Sequence, residues 1–169
     1  VPAALAGIGV ALRPETEADL PFLSRLYVSI RWDELAPLTA WSDDQKLAFL
    51  ADQFRLQRLH YATYYAGADF MIIEDKGEPI GRLYLDRVAR TDLRIVDIAF
   101  LPAYRGRGYG SLFLGAVLEE AAADGKVASI HVEEMNPAKR LYERLGFRQV
   151  SPHGPYWLME KAPAQLKTA

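Results

Sequence analysis

Arg105, Gly106, Arg107, Gly108, Tyr109, Gly110 and Ser111 make the segment of this chain best equipped for chemistry. Glycine at every second position permits positive φ and close approach of a ligand to the backbone, and successive N–H groups in such a loop converge on one point. An apolar run from Ile95 to Leu101 leads into the loop and a helical pattern follows it. The loop therefore opens a helix whose first donors are unpaired and carry partial positive charge, an arrangement suited to a phosphorylated ligand. No Lys stands beside Gly108 or Gly110 to serve a Walker loop, and the spacing differs from the Gly-x-Gly-x-x-Gly of dinucleotide-binding folds.

A second segment carries chemistry of a different kind. Asn136-Pro137 begins a short helical pattern that contains Leu141-Tyr142 and stops at Gly146-Phe147. Arg105-x-x-Gly108-x-Gly110 resembles the pyrophosphate loop of the Gcn5-related N-acetyltransferase (GNAT) superfamily, and Asn136 to Phe147 is similar to that superfamily's later motif. The two matches stand in the right order, within the last two-fifths or so of the chain.

The resemblance implies acetyl-CoA as co-substrate, held by the amides from Gly106 to Ser111, with Arg105 and Arg107 adding charge at the rim and Asn136 contacting the cofactor. It implies a bulge in the preceding strand, where the main chain of Ile98 and Phe100 meets the pantetheine arm. An amide aimed at the developing oxyanion matters by ~2.7–4 kcal/mol in other enzymes. The implied reaction is acetyl transfer to a primary amine by direct attack in a ternary complex. A non-catalytic acyl-CoA-binding sensor or interaction module is the alternative, since it would use the same loop.

Amide formation from a thioester needs a neutral amine and a proton for the leaving thiolate. Tyr142 is the candidate acid, because a phenol of pKa about 10 can donate to a thiolate whose parent thiol lies near 8.5. Ala138, Leu141, Tyr142 and Leu145 also form an i, i+3, i+4, i+7 stripe, which would equally make Tyr142 a core aromatic. No motif singles out the base. Asp97 and Glu133 are the best-placed carboxylates, and His131 shares a strand face with Glu133 and titrates near neutrality. In such folds the acceptor side is built by the first two helices and the hairpin that follows. Here those elements carry Arg31, Trp32, Asp33, Glu34, Trp41, His60, Tyr61, Tyr64 and Tyr65.

The elements that must position these groups can be read from periodicity. Ile8 to Arg13 reads as a strand, and Thr16 with Asp19 starts a helix striped by Leu23, Leu26, Tyr27 and Ile30. Ser42 with Gln45 caps a second helix, striped by Leu47, Leu50, Ala51 and Phe54 and ending near His60. Phe70 to Glu74 and Pro79 to Asp86 flank Asp75-Lys76-Gly77 as a hairpin, and Leu93 to Leu101 follows as a strand. After the glycine loop come a helix ending at Asp124-Gly125, a strand Val127 to Glu133, the Pro137 helix, and a hairpin from Phe147 to Val150 and Tyr156 to Glu160. The order is βααβββαβαββ. It predicts an α/β (α+β) domain, a mixed and mostly antiparallel sheet of about seven strands with helices on both faces, as in the GNAT fold.

With 169 residues, 50% hydrophobic and 25% charged, the chain is sized for one domain, 1–169, with looser ends at about 1–7 and 162–169. A net charge of −2 supplies no field for nucleic acid, and the apolar opening is too short to span a membrane or to read as a leader. The lack of cysteine excludes thiolate metal or acyl-cysteine chemistry and agrees with a reducing, cytoplasmic setting; no metal is expected. The expected partner is a small-molecule or peptide/protein amine, and a homodimer is among the expectations.

Overall fold

Two capping boxes begin the helical layer. Ser42 accepts from the Gln45 N–H at 3.1 Å while Gln45 Oε1 accepts the Ser42 N–H at 2.8 Å, which starts α2 (Asp43–Tyr64) where the sequence predicts. The Thr16/Asp19 box is also present, but it closes a single 3-10 turn, Glu17–Asp19, and α1 (Leu20–Arg31) begins only after it. Asp19 belongs to that turn because its carboxylate takes two Arg13 nitrogens at 2.7 and 2.8 Å, which hold its carboxyl down at about 2.

The computed structural model describes residues 9–163. Its strands are β1 (Val10–Pro14), β2 (Asp69–Asp75), β3 (Glu78–Asp86), β4 (Asp92–Phe100), β5 (Val127–Glu133), β6 (Arg148–His153) and β7 (Tyr156–Lys161). With α3 (Tyr109–Ala123) and α4 (Lys139–Arg144) they reproduce the predicted order. The sheet runs β1-β2-β3-β4-β5-β7-β6, and only the β4–β5 pair is parallel. Alternation along the strands divides the core into two layers. Leu83, Leu85, Leu93 and Ile95 pack with Phe113, Leu114 and Val117 of α3, and with Tyr142 and Phe147. On the other face Ile72 meets Phe22, Leu23 and Leu26, beside a cluster of Tyr27, Leu35 and Leu50. Each fully buried side chain of this kind stabilises by ~1.5–3 kcal/mol relative to an exposed one.

Several boundaries and faces differ from expectation. Ile30 is exposed, and so are Leu47 and Ala51 of the predicted α2 stripe. The inward face of α2 is partly polar instead: Arg58 donates to Glu15 at 2.6 Å and to the Tyr84 hydroxyl at 2.9 Å, and Gln57 accepts from Arg82. Those partners lie on β3 and after β1, far away in sequence, so local periodicity carries no trace of them. The helix also runs on to Tyr64, past His60. Ile8 and the ends expected to be loose, 1–7 and most of 162–169, lie outside the described residues. Among the described residues no helix is long and apolar enough to cross a membrane.

Candidate active site

The parallel pair at the centre of the sheet is short. β4 and β5 pair only from Asp92–Val127 to Ile95–Ile130, after which the strands part. The cause lies in β4: Leu85 faces Ile95 and Tyr84 faces Asp97, so Val96 is an extra residue and the strand bulges there. β5 continues against β7 as far as Glu133–Tyr156, and β4 continues against β3 as far as Phe100–Gly81. The Leu101 N–H donates to Ile80 on β3 at 2.8 Å. Alternation then turns the backbone groups of Ile98 and Phe100 the other way, into the gap. The implied bulge exists, two residues upstream of Ile98.

At the end of β4 the chain makes a 3-10 turn, Pro102–Tyr104, and enters the glycine loop. Gly106 and Gly108 have φ of +73° and +84°, and a Cβ built on either would meet nothing within 4 Å. Gly108 caps α3, whose first internal bond is Leu112 N–H to Gly108 C=O at 3.1 Å. The N–H groups of Tyr109, Gly110 and Ser111 have no partner inside the helix, so an open, donor-rich cradle results that fits a diphosphate. Arg107 is exposed and lies 5.2 Å from the centre of the Tyr104 ring. Arg105 does not stand free: its Nε donates to the Phe100 carbonyl at 2.9 Å, and its Nη2 reaches Ser29 on α1 at 3.4 Å.

Asn136 caps as predicted, with Oδ1 accepting the Ala138 N–H at 2.9 Å, although the regular helix starts at Lys139. This places Tyr142 in the larger core against Phe147, ring centres 5.9 Å apart. Tyr142 is thus a core aromatic, but it is more than that. The one enclosed side-chain nitrogen or oxygen without a partner among the described residues is Arg82 Nη1. The Tyr142 hydroxyl is therefore not sealed in. Burial, and then the nearby Asp97 charge, push its ionisation upward, so the phenol keeps its proton at any ordinary pH.

The three candidate bases have different neighbours. Asp97 accepts from Nε of the fully buried Arg82 at 2.5 Å. His131 Nδ1 lies 3.1 Å from Arg94 Nη1. A guanidinium can only donate, so Nδ1 accepts and the imidazole is neutral with its proton on Nε2. Burial, Arg94 and His153 together lower the His131 pKa. Glu133 is exposed at the mouth of the gap, and among the described residues it has no ion pair within 4 Å. Tyr156 faces it across the β5–β7 pairing, and burial and the Glu133 charge raise the Tyr156 pKa.

On the α1 side Arg31 pairs with Glu34 at 2.6 Å and donates to the Tyr27 hydroxyl at 3.2 Å. Tyr61 is buried, its ring 5.8 Å from the Arg82 guanidinium, whereas His60 and Tyr64 point outward. The aromatic lining is thus divided between two faces of α2. Arg82, Arg94 and Tyr156, the neighbours of these candidates, are residues that motif reasoning misses. Strand alternation does put Arg82 on the same face as Tyr84, but nothing local shows that both are covered. Among the described residues no group of three or more His, Cys, Asp or Glu is placed to hold a metal ion.

Residues 26–147 match the Acetyltransferase (GNAT) family. The [ribosomal protein bS18]-alanine N-acetyltransferase of Haemophilus influenzae is 36% identical over 64 residues, 37% of this chain and 44% of that protein. The match thus covers less than half the length of that relative. The PaiA N-acetyltransferase of Thermoplasma acidophilum, in complex with coenzyme A, superimposes with a TM-score of 0.66 over 90% of this chain and 98% of that one, at 18% identity. Arabidopsis thaliana Naa50, in complex with the bisubstrate analogue CoA-Ac-MVNAL, gives 0.59 over 92% and 99%, at 17% identity. At such identities these structures speak for the fold alone. With its seven-stranded sheet parted beyond Ile95 and a glycine cradle at the parting, this chain belongs to the GNAT family of acetyltransferases.

Proposed function

We propose that this protein is an acetyl-CoA-dependent N-acetyltransferase that acetylates a primary amine by direct attack in a ternary complex. The observation that carries the reading is the gap between β4 and β5, with the open glycine cradle following β4 and the Tyr142 hydroxyl, buried but not sealed, near enough to Asp97 of β4 to feel its charge. Bound there, acetyl-CoA supplies the activated thioester. The amides from Gly106 to Ser111 hold its diphosphate, with Arg107 at the rim. Arg105 steadies the Phe100 carbonyl, and the backbone of Ile98 and Phe100 aligns the arm in the gap. Asn136 keeps the start of α4 in place beside it.

Tyr142 holds the proton that the departing sulfur takes. Glu133 is the base in this reading, receiving the amine's proton through water: Asp97 is ion-paired with Arg82 and the acceptor lone pair of His131 is taken by Arg94, whereas Glu133 is exposed and engages only the neutral Tyr156 phenol. A peptide or protein α-amine is the first acceptor to test, given the alanine N-acetyltransferase relative and the peptide analogue bound to Naa50.

The test is a thermal-shift titration with acetyl-CoA and coenzyme A, followed by thiol release over a panel of peptides with free N-termini, polyamines and small amines. Stabilisation with turnover on one class supports the reading. Stabilisation without turnover on any amine favours a binding module, and no stabilisation ends both.

A further inference from the structure

The α1 stripe opposite its buried residues faces a groove of about 630 Å3, bounded also by the first turns of α2 and by the turn from Pro102 to Arg105. That volume is typical of small-molecule sites. Val28, Trp32, Leu47 and Pro102 give it apolar walls. Two guanidiniums, of Arg25 and Arg105, border it against one carboxylate, Asp33, and Lys46 Nζ stands 5.8 Å from the centre of the Trp32 ring. The lining itself therefore holds two cations to one carboxylate, in a chain whose net charge is −2. Arg25 is exposed and has no ion pair among the described residues, while Arg105 commits Nε and Nη2 and leaves Nη1 available.

We propose that this groove binds a small organic anion with an apolar body, at a site separate from the gap between β4 and β5. The apolar walls receive the body, and Arg25 with the free edge of Arg105 receives the anionic head; the Ser29 hydroxyl lies beside them. Arg105 also holds the Phe100 carbonyl and begins the glycine loop, so the groove and the loop share this one side chain.

Phenylacetate, phenethyl alcohol and phenethylamine share an apolar body and differ in charge, so they serve as probes. Each is titrated into the full chain, alone and saturated with coenzyme A, following the Trp32 indole and Ser29 amide signals by NMR. Phenylacetate should bind saturably, at least about tenfold tighter than phenethylamine, and with coenzyme A present. Arg25→Glu, an exposed change that leaves the core intact, should weaken phenylacetate at least about tenfold while coenzyme A affinity stays within about twofold. Equal binding of all three probes, no saturation, or competitive displacement of phenylacetate by coenzyme A would overturn the proposal. None of these outcomes bears on acetyl transfer, which the thiol-release assay tests by itself.

Discussion

Arg82 of β3 and Asp97 of β4 meet diagonally across the strand pair, a guanidinium that is 2% exposed beneath a carboxylate that is 28% exposed. The pair divides the labour among the acids of the site. Asp97→Asn leaves Arg82 charged and buried without its counter-ion, which should cost about 3 kcal/mol in denaturant melts, the low end for a broken buried pair because Asp97 is part-solvated. Glu133→Gln, at an exposed position, should leave stability within about 0.5 kcal/mol. It should lower kcat by at least about tenfold, the low end for lost general-base catalysis being ~100-fold before water substitutes. Equal stability losses in the two variants would refute this division.

Tyr142→Phe removes one oxygen from an otherwise well-packed ring. It should reduce kcat by about 100-fold and leave coenzyme A affinity nearly unchanged by calorimetry. Because burial raises the Tyr142 pKa above its ordinary value of about 10, loss of the phenolic proton should not cause an alkaline fall in rate below that pH. An alkaline limb near neutrality that vanishes in the phenylalanine variant would contradict this assignment.

Gly108 tests the cradle. Alanine there meets no neighbouring atom but must adopt φ +84°, a conformation that costs an L-residue about 1–2 kcal/mol. Either the loop keeps its shape and the protein loses that much stability, or the loop relaxes and coenzyme A binding weakens by about tenfold. Calorimetry together with a thermal melt distinguishes both results from a silent substitution, which would show that the left-handed cap is dispensable.

Asp19 governs acid stability. Its folded carboxyl, held at about 2 by Arg13, lies below the ordinary 3.8, so the unfolded chain binds the extra proton as pH falls between these values. The stabilisation is complete above pH ~4 and gone below ~2. Arg13 is about one-third exposed, which screens the pair and reduces its worth to about 1–2 kcal/mol. Asp19→Asn should lower the melting temperature at pH 7 and flatten the acid limb of the stability curve. An unchanged limb would assign acid unfolding to other carboxylates.

The fold and the backbone geometry of the glycine loop are largely legible in the sequence. β5 begins and ends at the predicted Val127 and Glu133 because its pairing agrees with its apolar alternation. The glycine loop was legible because positive φ at Gly106 and Gly108 is a local demand. Half of the α2 stripe, Leu50 and Phe54, does face the core, whereas Leu47 and Ala51 do not, and the place of further apolar residues is taken by Gln57 and Arg58, satisfied by Arg82, Glu15 and Tyr84, partners that only the folded chain supplies. The different partners of Asp97, His131 and Glu133 are hidden from the sequence for the same reason. Arg82 and Arg94 act through tertiary contacts, and no spacing rule announces an arginine beneath a sheet.

The shortness of the β4–β5 ladder has one more consequence. A sheet that lacks its neighbour for a few residues in mid-span leaves amide hydrogens there in contact with solvent. Those of Ile98 and Phe100 should exchange with deuterium quickly in the free protein, although they lie near its centre, and slowly once an extended ligand takes the place of the absent strand.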